Sequence, residues 1–496
     1  MGDQNSPLSE AEARHLLRRT GFGAKQRDVE KIVERGETRG QAADRLLGFT
    51  PSNFRPRNRD IDLVHNKWIK FMTRTKLELQ EKLVLFWHDH FATSNEVVGD
   101  AEWMATQNQT LRLHCKGDFR TMMYAINRDP AMMDFLDTIR NRRAVPNENY
   151  SREVKELFCL GVYDLDGQPN YTQEDIVQTA RAFTGWRVDE KGRAYLNESQ
   201  HDRGTGDPGD PYPERGPKVI FQGNPAFGPA GYDFGAAAGS NYAAEIDEVM
   251  NAIFAHQDSA GRNTVAHWIA YRLITFFADP EPSNAYVEAM VSDSGFDSSF
   301  VVADLLRAIL VSDEFYAPLT DASKLSVKWP VDYVVSTLRL LGMKLKSRYQ
   351  YIDGGSYSTV QDTLSNMGQL LLEPPSVFGW DWEGAWVNSS TLLARYGFVR
   401  DAISARGKGG SALRPERLFD FAESPAVDPD VVIDAVTGLL GVAPSFDTGS
   451  DNRDALIEYL TDGLGGTVDF SDYETRDKKL RGVILLVTQS PAYMLH

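Results

Sequence analysis

Apolar residues recur at helical spacing over most of this chain. Between Thr75 and Phe91, the residues Leu79, Leu83, Phe86, Trp87 and His90 fall on one stripe at about 100° per residue. That stripe predicts a core-facing helix with His90 pointing inward and His88 on the opposite face near Glu81. Ser9 and Glu12 have capping-box spacing ahead of E-A-E-A-R-H-L-L-R-R, and Gly21 and Gly23 stop that helix. Further helices are predicted over Asp28 to Arg35, Arg112 to Asn127 and Pro130 to Thr138. The helical period returns in A-A-E-I-D-E-V-M-N-A-I-F, T-V-A-H-W-I-A-Y-R-L-I-T-F-F, F-V-V-A-D-L-L-R-A-I-L and V-D-Y-V-V-S-T-L-R-L-L. From 188 to 242 the pattern gives way to Gly, Pro, Asp and isolated aromatics, with K-V-I-F-Q at Lys218 as the one expected strand. The fold class that follows is mainly α: a multi-helical globular array with a long irregular excursion containing at most short β-strands. The run G-K-G-G-S near Gly407 marks a flexible joint at 405–415, and no fixed-period repeat is present.

Composition narrows the function classes. A chain of 496 residues with 42% hydrophobic and 25% charged residues is ordinary for a soluble globular protein. Its formal charge of -17 argues against general nucleic-acid binding, because phosphates require clustered Lys and Arg, and anionic membranes are disfavoured on the same ground. The two cysteines, Cys115 and Cys159, cannot form a disulfide framework or a Cys-rich metal knuckle, and whether they pair is left open. No basic stretch followed by an apolar run opens the sequence, and no segment approaches the roughly 18 apolar residues of a membrane span. A cytoplasmic chain is expected, with export of a longer native form left open.

Candidate chemistry concentrates between Pro146 and Trp186, where two short helices lie either side of a turn. Glu153 and Glu156 are three apart and share a helical face, and Arg152 can pair with Glu156 along the surface. Two carboxylates on one face suit acid/base work or a divalent metal, and equally suit a solvated charged surface. Thr172 and Asp175 have capping-box spacing on the second helix. Arg181 lies beside an apolar surface on that helix and either pairs with a carboxylate, with Glu153 or Glu156 as the expected partner, or binds an anion. A calcium-loop reading of D-L-D-G-Q-P-N fails, since aligning Gly167 with the required glycine puts Val162 and Gln173 at the outer ligand positions. His88 and His90 are two apart, so on a helix they cannot share one ion. His90 is either a core histidine or the third member of a metal set with Glu153 and Glu156, and His267 is equally ambiguous. His201, Asp202 and Lys218 add polar chemistry within the excursion. Trp380, Trp382 and Trp386 could stack on sugars or meet a partner if exposed, or staple their loop to the core if buried. No nucleophile elbow, zinc helix, phosphate loop or dinucleotide fingerprint occurs.

Taken together, several motifs resemble the bacterial "domain of unknown function 1800" family. They are H-L-L-R-R-T-G-F-G at His15, F-W-H-D-H-F-A at Phe86, N-E-N-Y-S-R-E-V-K-E-L-F-C-L-G at Asn147 and Y-T-Q-E-D-I-V-Q-T-A-R-A-F-T-G-W at Tyr171. H-D at His201 with Lys218, K-W-P at Lys328, P-P-S-V-F-G-W and the final S-P-A-Y-M complete the set. The resemblance implies one family unit over 1–496 and a working partner from a second family, "domain of unknown function 1501", which is similar to sulfatases. Where that family has a compact L-G-V-x-G-G turn, this chain reads F-C-L-G-V-Y-D-L-D-G-Q-P-N. Three functions are therefore carried forward. One is an enzyme, such as a hydrolase with a bound metal, using Arg152, Glu153, Glu156, Arg181 and His90, with His201, Asp202 and Lys218 closing over them. The others are a non-catalytic partner or maturation factor of a sulfatase-like protein, and a polysaccharide-binding protein.

Overall fold

The computed structural model describes residues 5–54, 60–204, 211–343, 345, 359–405, 413–419, 421 and 424–496. It is mainly α-helical, with two small antiparallel two-stranded sheets. The proposed joint at 405–415 falls largely outside the described residues. No helix among them is long and apolar enough to cross a membrane.

The helix Glu78–His90 is the axis of the fold and is buried on every side, Glu78 excepted. This corrects the amphipathic expectation for His88, which is 1% exposed. Its polar positions are inside because each finds a distant partner: Glu81 is held by Arg112 at 3.0 Å and by the Trp68 indole at 3.1 Å, and Lys82 by Asp332 at 2.6 Å. His88 accepts the Leu372 amide at 3.0 Å. A buried polar group satisfied in this way leaves no mark on the hydrophobic period.

The first helix, Glu10–Thr20, has the expected Ser9–Glu12 capping box, and Asp28 to Arg35 corresponds to the helix Gln26–Glu34. The helix expected from Arg112 to Asn127 is two helices, Ala101–His114 and Phe119–Ile126. Asp118 separates them by accepting the amides of Arg120 and Thr121. The helix Pro130–Phe135 also stops short, followed by a 3-10 turn at Thr138–Arg140. Between 188 and 242 the expected strand is present as Val219–Ile220, paired with Tyr232–Asp233. A second hairpin, Trp186–Val188 with Ala194–Leu196, was not anticipated because three-residue strands carry too little alternation to register. Helices Glu245–Ala255, Thr264–Phe277, Val302–Val311 and Pro330–Leu340 follow the expected periodicity.

Distant parts of the chain meet beside this axis. Arg18 donates to the Leu495 carbonyl at 2.6 Å, the Lys328 amide donates to Met494 at 2.8 Å, and His496 lies 3.3 Å from Asp332. Leu8, Trp87 and Met494 belong to one apolar cluster.

Candidate functional site

The polar helix begins at Asn149, whose amide is accepted by Asn147, and after Glu153 widens into a π-helix over Val154–Cys159. Both Leu160 and Gly161 donate to the Lys155 carbonyl, so the carbonyls beyond it need other donors. Side chains from elsewhere supply them: Trp268 donates to Leu157 at 2.8 Å, the His90 Nε2 meets Phe158 at 3.0 Å, and Asn170 donates to Leu160 at 2.9 Å. Gly161 closes the turn at φ 74, where an added Cβ would lie 2.8 Å from the Trp268 ring. The second helix, Gln173–Ala182, has the expected Thr172–Asp175 capping box. Lys155 crosses to it, donating to Thr179 at 2.5 Å, and burial pushes its ammonium down to about 7. Such π turns are frequent at functional sites.

Glu153 and Glu156 sit at this turn, half-buried. Glu156 accepts the Tyr171 hydroxyl at 3.2 Å, whereas the Oε2 of Glu153 is buried without a hydrogen-bond partner. Burial, reinforced by the charge of Glu156 and opposed by Arg152, pushes the Glu153 carboxyl up to about 7. The expected pairing of Arg152 with Glu156 is not formed. Arg152 instead meets Glu148 and Gln173, each at 3.1 Å, because Glu148 lies one turn back on the side that faces the second helix.

The metal set of Glu153, Glu156 and His90 does not assemble. His90 is fully buried among aromatic rings with its ring nitrogen on the Phe158 carbonyl, and burial, with Arg272 nearby, pushes it down to about 3. Burial thus favours its neutral form, and its other ring nitrogen, Nδ1, is buried without a hydrogen-bond partner. Among the described residues, the acidic group close enough to hold an ion is Asp164, Asp166 and Asp258. Arg262 fills that place, pairing with Asp166, with Glu288 and with Asp258 at 2.6 Å. The loop carrying Asp164 is a turn: its carboxylate accepts the amides of Asp166 at 2.9 Å and Gln168 at 2.7 Å.

Arg181, His201, Asp202 and Lys218 do come together, but not with the glutamates. Arg181 grips Asp202 by Nε at 3.1 Å and Nη2 at 3.2 Å, which corrects the expectation of a partner in Glu153 or Glu156. Arg215 adds a third contact at 3.0 Å. Although burial works against ionisation, the Arg181 and Arg215 guanidiniums hold the Asp202 carboxyl below its ordinary value. Lys218 donates to Glu245 at 2.5 Å and to the Asp202 carbonyl, and His201 lies 3.1 Å from the same Glu245 oxygen. Glu245 was missed from the sequence. It lies 44 residues beyond His201, and its one signal was the acidic first turn of the helix E-I-D-E-V. Arg181, His201, Asp202, Lys218 and Glu245 are each at most 2% exposed, and Arg215 is half-buried. Charges so closed off fasten the excursion to the helix pair rather than close over Glu153 and Glu156 as expected.

Trp380 and Trp386 are buried at 3% and 4%, and Trp382 is half-buried, so the loop offers no row of exposed rings for stacking on a saccharide. Asp89 anchors it, accepting the Trp380 amide at 2.8 Å and the Trp382 indole at 3.0 Å, with Arg272 at 3.4 Å. Burial pushes the Asp89 carboxyl up to about 6 even with Arg272 beside it. His267 hydrogen-bonds the Asn263 carbonyl one turn back at 2.8 Å, and both cysteines are buried free thiols.

Comparison with known proteins gives one family, described as "Protein of unknown function (DUF1800)", matched over residues 15–495. No curated protein matches the chain, and no solved structure does.

Proposed function

We propose, on the premise that this chain belongs to the DUF1800 family of proteins of unknown function, an enzyme whose general acid is Glu153. The observation that supports it is the contrast at the π turn: Glu156 has a hydroxyl donor, while Glu153 has a buried, unpartnered oxygen and a carboxyl pushed up to about 7. A carboxylic acid poised there is half-protonated at neutral pH, where it can both give and take a proton. In a hydrolysis, Glu153 would pass its proton to the departing oxygen and recover one from the attacking water. The charge of Glu156, which Tyr171 fixes in place, would favour the proton on Glu153. Arg181, His201, Asp202 and Lys218 are assigned to structure in this reading, and no metal is required.

The test is turnover of a panel of chromogenic esters, glycosides and phosphoesters by the wild type and Glu153→Gln. Loss of at least about a hundredfold in kcat, with unchanged circular dichroism, is expected. Equal turnover by both, or turnover of none of the panel, counts against the assignment.

A second reading, a non-catalytic partner or maturation factor of a sulfatase-like protein, draws on Phe378, which is 64% exposed two residues before the buried Trp380. Co-purification with such a protein that is lost on Phe378→Ser would favour it.

A further inference from the structure

The chain is acidic overall, yet one cleft on it is strongly basic. A groove of about 760 Å³ between the first helix, the helix Gln26–Glu34 and residues 73–79 is lined by eight Lys and Arg side chains against two acids, Asp28 and Glu78. It shares no lining residue with the Glu153 site. Among the described residues the Lys25 and Lys76 ammonium groups have no ion-pair or hydrogen-bond partner, and the guanidinium of the exposed Arg74 reaches only the Leu345 carbonyl at 2.7 Å. Arg339, 7% exposed, is fixed by the carbonyls of Met72 at 2.8 Å and Thr75 at 3.1 Å and pairs with Glu78, while its Nε is buried without an acceptor. Like charges brought together in a cleft repel one another and focus a positive potential into it.

The backbone at the cleft's edge has the same preference. Gly23 turns at φ 89 into the helix Gln26–Glu34, whose N-cap Lys25 supplies no side-chain acceptor to the first amides. The adjacent Phe22 amide already binds one carboxylate, Glu78, at 2.9 Å. Half-buried Leu17, Leu46, Phe49 and Leu77 form an apolar wall beside these charges.

We propose that this groove binds a small organic phosphate, its dianionic group among Lys25, Arg74, Lys76 and Arg339 and its organic portion against the apolar wall. The excess of cations exceeds what one carboxylate would neutralise, and a phosphate offers enough oxygens for several guanidinium and ammonium donors. The volume is that of a small-molecule site, and the acidic remainder of the surface repels a long polyanion.

The experiment is calorimetric titration of the full chain with phenyl phosphate, repeated with inorganic phosphate and with the Arg74→Ala, Lys76→Ala double variant. Both replaced residues are exposed, and an unchanged melting temperature verifies the fold. Saturable binding is expected, tighter for phenyl phosphate than for inorganic phosphate, weakened by salt and by at least about tenfold in the double variant. Absence of saturable binding, equal affinity in the double variant, or inorganic phosphate binding as tightly as phenyl phosphate would overturn the proposal.

Discussion

Arg181 and Asp202 form a two-point ion pair, Nε to Oδ2 at 3.1 Å and Nη2 to Oδ1 at 3.2 Å, with both side chains almost wholly out of water. The pair joins the second helix of the polar motif to the excursion, and the remaining Arg181 donors reach the Gln178 side chain at 2.7 Å and backbone carbonyls of that excursion, Gly216 among them at 2.8 Å.

Replacing Arg181 with Gln should destabilise the protein by about 3 kcal/mol, because it removes two of the three arginine contacts to a buried carboxylate and leaves several carbonyls without their donor. Urea denaturation measures the loss. Hydrogen exchange should quicken first in Val219–Ile220 and Tyr232–Asp233. A variant as stable as wild type would show that the pair does not hold the excursion.

Glu153 predicts a pH dependence of the opposite sign to that of an ion-paired acid. Its folded carboxyl stands at about 7 against an ordinary 4.5, so the folded state holds the proton more tightly than the unfolded one. That contribution to stability is complete below about pH 4.5 and is lost as pH rises through about 7. Glu153→Gln removes the ionisation. Its melting temperature should exceed that of wild type above about pH 7.5, and the advantage should vanish near pH 4. Parallel melting curves across that range would contradict the assignment.

Asp89 accepts one tryptophan donor on each of its two carboxylate oxygens, and an amide has only one oxygen to offer. In Asp89→Asn the NH2 group must face either the Trp380 amide or the Trp382 indole, and Arg272 loses its carboxylate. A loss of about 2–3 kcal/mol is expected, with a red-shifted tryptophan emission as Trp382 gains water. Unchanged emission and stability would mean that the loop is held by other contacts.

Much of the architecture was legible because it is local. Ser9 with Glu12 and Thr172 with Asp175 are capping boxes at fixed spacing, and the long helices announced themselves by their period. The polar centre was less legible, because its pairings are decided by distance in space. Arg181 visibly needed a carboxylate, but nothing local favoured Asp202, 21 residues away, over Glu156. His88 was placed outside on a period that cannot register the Leu372 amide, nearly three hundred residues away, that receives it inside. The shift from α to π geometry after Glu153 leaves no signal in composition. Its partners are equally distant: Trp268 and His90 take up the carbonyls of Leu157 and Phe158 at the end of the turn.

The meeting of Arg18 with Leu495, and of Lys82 and Asp332 with His496, has a consequence for how the protein is made. The ribosome finishes Arg18 and Lys82 long before it supplies the residues that receive them. Until Asp332 emerges, the axis helix carries an ammonium without the carboxylate that receives it, and contacts this far apart in sequence close slowly. The middle of the axis helix is therefore set by long-range closure across 250 residues rather than by its own sequence neighbourhood.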